Sequence, residues 1–305
     1  MARLGIISAY PDEDWHARRI VAAASRRADA QVLSPLDFGA DIAPGAPRLL
    51  VQGEPHDLFD AFLTPRALGD EGDQELQLEL YRTLAEEGAL LVNDVRALTV
   101  AIDKFKTSWL LARAGLPTPR AMVVQREGET EAALASLGGR AVAKPLYGSL
   151  GIGVELVDSP RRLAECLRRW RALYVQEYVA SAGGAVRDLR AFVVGDCVEA
   201  AIARVAPKGE FRTNVHQGGH AEAVQLDEKT QSLAVEAAAV LGLDYAGVDI
   251  MEGGDGPLVL EVNGTPLFAG IFDATGRDMA EPIVDLVLER VAARRRLDDE
   301  RVDAR

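Results

Sequence analysis

The stretch YAGVDIMEGGDGPLVLEVN, residues 245–263, constrains the fold more than any other part of the chain. Two apolar runs are joined only by the turn GGDG, so they should pair as antiparallel neighbours. Each run nevertheless carries acid. Glu261 and Asn263 are two residues apart and leave the same face of their strand. Asp249 lies in the facing run. A carboxylate in such a setting is costly unless a hydrogen bond, a cation or a metal compensates it. Gathered on one face, Asp249, Glu261 and Asn263 would offer three hard oxygen ligands, a set suited to magnesium. A buried carboxylate satisfied by an arginine is the alternative.

Upstream, strands and helices alternate. RLGIISA, AQVLS, RLLVQ, FDAFLT and ALLVN read as strands, interleaved with helices at DWHARRIVAAASRRA, capped at Asp12 or Asp14, and QELQLELYRTLAEEG. That order predicts a small α/β layer domain over residues 1–95. DVRALTVAIDKFKTSWLLARAG then reads as one helical stretch closed by Gly115. AVAKPL and LYVQEYV are strands flanking the helix SPRRLAECLRRWR, and DLRAFVVGD and CVEAAIARV reverse at Gly195-Asp196. EKTQSLAVEAAAVLGL and PIVDLVLERVAARRR complete the helices. The remaining chain divides into a central part, 96–180, and a C-terminal part, 181–305.

A chain of 305 residues with 48% apolar and 27% charged side chains can build a sizeable core. A net charge of -13 argues against a general nucleic-acid binder, so any anionic ligand must be met by a local basic pocket. No apolar run reaches the ~18 residues of a membrane span, and no signal-peptide core is present. Cys166 and Cys197 have no metal-binding spacing and read as free thiols of a reducing cytoplasm.

KPLYGSLGIG places Lys144 just before Gly148, Ser149, Gly151 and Gly153. Glycines let a backbone approach phosphate oxygens and offer N–H donors. The pattern is neither a Walker A loop nor a G-x-G-x-x-G turn, and a glycine-rich hairpin is its plain alternative. In VQEYV, Gln176 and Glu177 taken alone read as the polar face of an edge strand. GEFRTNVHQGGH concentrates Lys208, Arg212, Asn214 and His216 around glycines, as an anion-binding loop or a solvated one. His216 and His220 have no nucleophile to pair with and read as loop histidines.

Taken in order, these pieces resemble the ATP-grasp superfamily and, within it, the RimK-like amino-acid ligases. The matching segments are FDAFLTPRAL, DKFKTSWLLARAGLPTP, KPLYGSLGIGV, VQEYV, DLRAFVVGDCVEAAIARV, GEFRTNVHQGG, AGVDIM, LVLEVNGTP and ATGRDMAEPIVD, from about residue 59 to residue 287. The first 58 residues carry no specific motif. The resemblance implies an α/β (α+β) chain in a three-part ATP-grasp fold, with an N-terminal α/β pre-grasp domain and ATP clasped between the central and C-terminal parts. It implies that Lys104 and Lys144 meet the phosphates together with Gly148, Ser149 and Gly151 of a mobile lid. It puts adenine at Glu177, Tyr178 and Val179, and Asp188 beside the nucleotide. Arg212, Thr213 and Asn214 fall on its phosphate side. Asp249, Glu261 and Asn263 match the ligands of a pair of magnesium ions, with manganese as a substitute. Arg204, with Lys144, matches the catalytic cations at the γ-phosphate.

The implied reaction turns a carboxylate into an acyl phosphate that an amine then attacks. The implied partners are L-glutamate and an acceptor carboxylate, with no nucleic acid or membrane, in a chain whose family allows dimers or tetramers. Two departures bear on the acceptor. After Asn263 the chain reads GTPLFAGIFDATG, where ribosomal-protein-modifying members have serine-rich text, and Gln217 stands where they tend to have arginine. EVNGTP is closer to members that extend small cofactors such as tetrahydromethanopterin, or amino-group carriers of lysine biosynthesis. A protein or carrier acceptor, a hydroxyl kinase and a non-catalytic nucleotide-binding regulator are the competing readings.

Overall fold

The computed structural model describes residues 1–69, 71–148, 152–180, 186–207, 220–254 and 256–303. The chain divides into two compact units, Met1–Leu98 with Gly242–Ala246 and Gly264–Arg305, and Thr99–Leu241 with Gly247–Asn263. The units are interleaved along the chain, so the segment after Asn263 belongs with the N-terminal unit.

The first unit opens with β1 (Ala2–Ser8), α1 (Trp15–Ala24), β2 (Ala28–Leu33), β3 (Phe38–Asp41), β4 (Arg48–Val51) and β5 (Glu54–Pro55). It continues with β6 (Ala61–Arg66), α2 (Gln74–Glu86) and β7 (Leu91–Val92). The sheet order is β2-β1-β6-β7 and its pairs are parallel, within the α/β layer that the strand–helix alternation predicts. Strands β3, β4 and β5 form a separate small antiparallel sheet. Phe38, Phe62, Tyr81 and Leu84 fill the core between helix and sheets. Buried Asn93 pins the chain ends that return to this unit. Its Nδ2 donates to the carbonyls of Tyr245 and Gly264, at 2.8 and 2.7 Å, and its Oδ1 accepts from Asp244 N at 2.6 Å.

Of the two candidate caps for α1, Asp14 is the one used: it accepts from the backbone N–H of His16 and Ala17 and from Ser8 Oγ. Burial pushes the Asp14 carboxyl up, but the His16 ring, 3.3 Å away at Nδ1, with Ser8 Oγ and the Ala17 N–H, outweighs it and holds it at about 2. A depressed folded-state value stabilises the fold above the ordinary aspartate range and loses that contribution as pH falls through about 2. Asp14→Ala is therefore expected to cost about 2 kcal/mol at pH 7. The deficit against the parent chain should narrow below pH ~4 in denaturant titrations, and a pH-independent deficit would refute the assignment.

The second unit begins within α3 (Val95–Ile102), followed by α4 (Lys104–Arg113). The single helix expected here is broken at Asp103, whose side chain accepts from Lys106 N and starts a new helix. Then come β8 (Ala121–Val124), α5 (Thr130–Ser136), β9 (Ala141–Pro145), β10 (Glu155–Val157), α6 (Pro160–Trp170) and β11 (Leu173–Glu177). These strands form an antiparallel sheet in the order β10-β9-β11-β8, with α5 and α6 packed through Leu134, Leu163 and Leu167. Gly153, at φ 74°, has no room for a side chain, since a Cβ would lie 2.6 Å from the Trp170 ring.

A second sheet contains β12 (Arg187–Val194), β13 (Cys197–Val205) and β14 (His220–Ala223), then, after α7 (Glu228–Val240), β15 (Tyr245–Gly253) and β16 (Gly256–Asn263). Its order is β14-β13-β12-β15-β16. The outer edge of β16 is covered, with Val259 N donating to Pro117 O and Thr118 Oγ1 donating to Val259 O. In the first unit the chain ends with α8 (Ala269–Thr275) and α9 (Ala280–Asp303). Among the described residues no helix is long and apolar enough to cross a membrane. Both cysteines are free, Cys166 buried and Cys197 exposed.

Candidate functional site

The β15–β16 hairpin forms as expected, but with one irregularity that decides the site. Outward from the turn, Gly253 pairs with Gly256, Met251 with Leu258 and Ile250 with Val259. Continued regularly, the ladder would set Asp249 against Leu260 and Glu261 against Val248, placing the two carboxylates on opposite faces. Instead the register shifts between Asp249 and Ile250. Leu260 becomes the extra residue, Asp249 pairs with Glu261, and Gly247 pairs with Asn263. The bulge thus brings Asp249, Glu261 and Asn263 to one face.

Across the same sheet, Asp188 on β12 pairs with Arg204 on β13. Arg204 donates to both oxygens of Asp188, at 2.8 and 2.5 Å, and its Nη2 lies 2.9 Å from Asp249 Oδ2. Arg190 grips Asp249 in a two-point contact, 2.7 Å from Nε to Oδ1 and 2.8 Å from Nη2 to Oδ2. Asp188, Arg204 and Asp249 are all buried. Burial pushes the Asp249 carboxyl up, but Arg190 and Arg204 outweigh it and hold it well below the usual carboxylate range. Burial alone would lower Arg204; Asp249 and Asp188 raise it instead. The arginine partner and the acid cluster are therefore both present.

The donor set still fits magnesium. Among the described residues no three His, Cys, Asp or Glu side chains gather at one point, so the oxygens come from two carboxylates and an amide. Asn263 Nδ2 donates to Gly247 O at 3.2 Å, which leaves Oδ1 as the acceptor end. Glu261 is half-buried and lines a cleft, and the holds of Arg190 and Arg204 on Asp249 leave a lone pair on its Oδ1.

That cleft is lined by Ala101, Lys104, Thr107, Ser108, Lys144, Tyr174, Leu260 and Glu261. It joins both lysines expected at the phosphates to one of the expected metal ligands. Lys104, in the first turn of α4, donates to Gly148 O at 2.7 Å. Lys144 on β9 donates to Gln176 Oε1 at 2.7 Å. Burial pushes the Lys144 ammonium down against the pull of Glu261, and the neighbouring Lys104 adds to the lowering. Two cations facing one carboxylate make a pocket for a polyanion that arrives with its own metal.

Gln176 departs from its plain reading. Strand β11 is paired on both sides, to β9 and β8, so it is no edge strand, and Gln176 is buried. At its end, Glu177 Oε1 accepts from Arg120 N at 2.8 Å, which commits that carboxylate to the main chain. Tyr178 carries the Arg140 guanidinium 4.3 Å above its ring, and Val179 packs near Gly253. Gly148 is described at φ 137°. Ser149, Gly151, Arg212, Thr213 and Asn214, with Lys208, His216 and Gln217, lie outside the described residues. His220 falls on β14 and is exposed.

Sequence reasoning passed over Arg190, Tyr174 and Ser108. For Arg190 a signal existed: it is two residues from Asp188, the same spacing that singled out Glu261 and Asn263. Ser108 carried none, because only the packing of α4 brings it to Tyr174.

Residues 101–287 match the family described as the RimK-like ATP-grasp domain. A probable alpha-L-glutamate ligase 2 from Shewanella amazonensis is 36% identical over 299 residues, covering 96% of this chain and 97% of the relative. A RimK domain ATP-grasp protein from Sphaerobacter thermophilus superposes with a TM-score of 0.69 at 25% identity, covering 94% of this chain and 100% of the other. The ATP-grasp ligase PsnB, solved with a minimal precursor, Mg and ADP, shares the fold with a TM-score of 0.73 at 21% identity, over 95% of this chain and 98% of that one.

Proposed function

The chain belongs to the RimK-like ATP-grasp family and is an ATP-dependent acid–amino-acid ligase, and from that premise we propose that it joins L-glutamate to a carboxylate acceptor through an acyl phosphate. The observation that carries this reading is the cleft shared by Lys104, Lys144 and Glu261, with Asp249 paired to Glu261 across the ladder.

A carboxylate and a triphosphate repel each other, so the site must cancel charge before they can react. Lys104 and Lys144 supply cations at the phosphates, and Gly148 brings backbone close to them. Arg204 bridges Asp188 and Asp249 and adds its own positive charge on the phosphate side. Asp249, Glu261 and Asn263 would hold magnesium, proposed as a pair of ions and replaceable by manganese, which when bound neutralises phosphate oxygens. With Glu177 committed to Arg120, the base falls to the main chain of Tyr178 and Val179, while Arg212, Thr213, Asn214, Ser149 and Gly151 complete the phosphate contacts. The acceptor oxygen attacks the γ-phosphorus and ADP departs. The glutamate amine then attacks the acyl carbon, loses a proton, and phosphate leaves. The three-part division at about residues 95 and 180 belongs to the same proposal.

The acceptor to test first is a small cofactor of the tetrahydromethanopterin type, because of EVNGTP and the text that follows it, with an amino-group carrier second. With acceptor and ATP present and glutamate withheld, hydroxylamine should trap the acyl phosphate as a hydroxamate. With glutamate supplied, each ADP should accompany one added glutamyl residue by mass, and N-acetylglutamate should fail as donor. A stable phosphorylated hydroxyl in place of an amide would overturn the ligase chemistry.

A further inference from the structure

We propose that Tyr174 and Ser108 are positioning residues that hold Lys144 in register with Lys104, through a hydrogen-bond chain of fixed direction ending at Gln176. The inference rests on the reading of the cleft as a nucleotide-phosphate site and adds to it the device that keeps two like charges in place before the ligand arrives.

The direction follows from donor and acceptor chemistry. A lysine ammonium has no acceptor, so Gln176 must turn Oε1 toward Lys144 Nζ, at 2.7 Å. Its Nε2 then faces Tyr174 Oη, at 3.2 Å, and donates to it. Tyr174 is left to spend its own proton on Ser108 Oγ, at 2.6 Å. Ser108 lines the cleft, so its remaining hydroxyl proton is the free end of the chain. Each link is thereby a donor aimed away from Lys144, and Gln176 Oε1 presents its lone pair to the ammonium with its dipole reinforced.

The geometry explains why such a chain is placed here. Lys144 and Tyr174 are directly paired across β9 and β11, and the ammonium lies 5.9 Å from the Tyr174 ring centroid. Ser108 is one turn along α4 from Lys104, so the two share a helix face. The Ser108–Tyr174 hydrogen bond is thus a strut between the helix carrying one lysine and β11, the strand paired directly with the one carrying the other. Burial and Lys104 both work against the charge on Lys144, and a long flexible ammonium would otherwise swing out to water. Tyr174 and Gln176 are themselves buried, so their rotamers are set by packing. Preorganising both cations is what a site for a polyphosphate needs.

The test is equilibrium binding of Mg·ADP by calorimetry, which requires no knowledge of the acceptor. Tyr174→Phe keeps the ring and removes only the hydroxyl, and should weaken ADP about fivefold to twentyfold. Ser108→Ala, at the margin of the cleft, should weaken it in the same direction and serves if Tyr174→Phe folds poorly. The decisive measurement repeats each substitution on a Lys144→Met background. If the chain acts through Lys144, neither should weaken ADP further there. Equal affinity of Tyr174→Phe and the parent, or the same fold-loss with and without Lys144, would overturn the proposal. A parent chain that binds no adenine nucleotide would overturn the ligase reading itself, a result separable from the other two.

Discussion

Glu261→Ala is expected to reduce ADP release by at least about a hundredfold while leaving the unfolding transition in place or slightly higher. Glu261 and Asp249 are direct cross-strand partners, and like charges opposite each other on a ladder repel. Removing one carboxylate relieves that repulsion and offsets the loss of the counter-charge that Glu261 gives Lys144. With magnesium and nucleotide present the balance reverses, because an oxygen ligand for the metal is lost. Magnesium titration of ADP binding separates these effects: the parent should show strong dependence on the metal and Glu261→Ala little. Full turnover of the variant at ordinary magnesium would remove Glu261 from the metal site. Glu261→Gln keeps the volume and should be impaired nearly as much, because charge and not shape is what the site loses.

Arg204→Met should be the most destabilising single change at the site, by about 3–5 kcal/mol. Arg204 bridges two buried carboxylates, and methionine replaces its length but not its charge. The loss comes less from the missing attraction than from two buried carboxylates deprived of the cation that bridges them. Arg190 remains on Asp249, so the damage should centre on Asp188. Adding Asp188→Asn to Arg204→Met should recover part of the stability in urea titrations, since a neutral amide of the same size is cheaper to bury. A double variant as unstable as the sum of the two single changes would show that this pair is not the source of the loss. Catalysis should not return with stability, as Arg204 is also a proposed catalytic cation.

Much of this molecule was legible before any coordinates. The α/β layer of the first unit followed from strands alternating with amphipathic helices, and the hairpin at 245–263 followed from a turn too short for any crossover. Asp249 and Glu261 stood out because acids in apolar strands need a reason, and Lys144 because it precedes a glycine cluster. Such signals are local: they depend on spacing, side-chain chemistry and turn length, all of which a linear string contains. The ordered motifs carried the family for the same reason.

Other features were settled only in three dimensions. The split at Asp103 turns one expected helix into two, since a side chain that can cap competes with its own helix and context decides which wins. Gln176 looked like an edge residue because a polar residue in a strand reads the same whether its partner is water or a lysine two positions along the facing strand. The bulge at Leu260 is the clearest case. By itself the sequence determined that 245–263 is a hairpin carrying acids in both arms. Whether those acids share a face depends on one extra residue in the register, because side chains alternate with a period of two and a single slip reverses them. That slip, like the strut from Ser108 to Tyr174 and the grip of Arg190 on Asp249, is set by how non-adjacent segments pack.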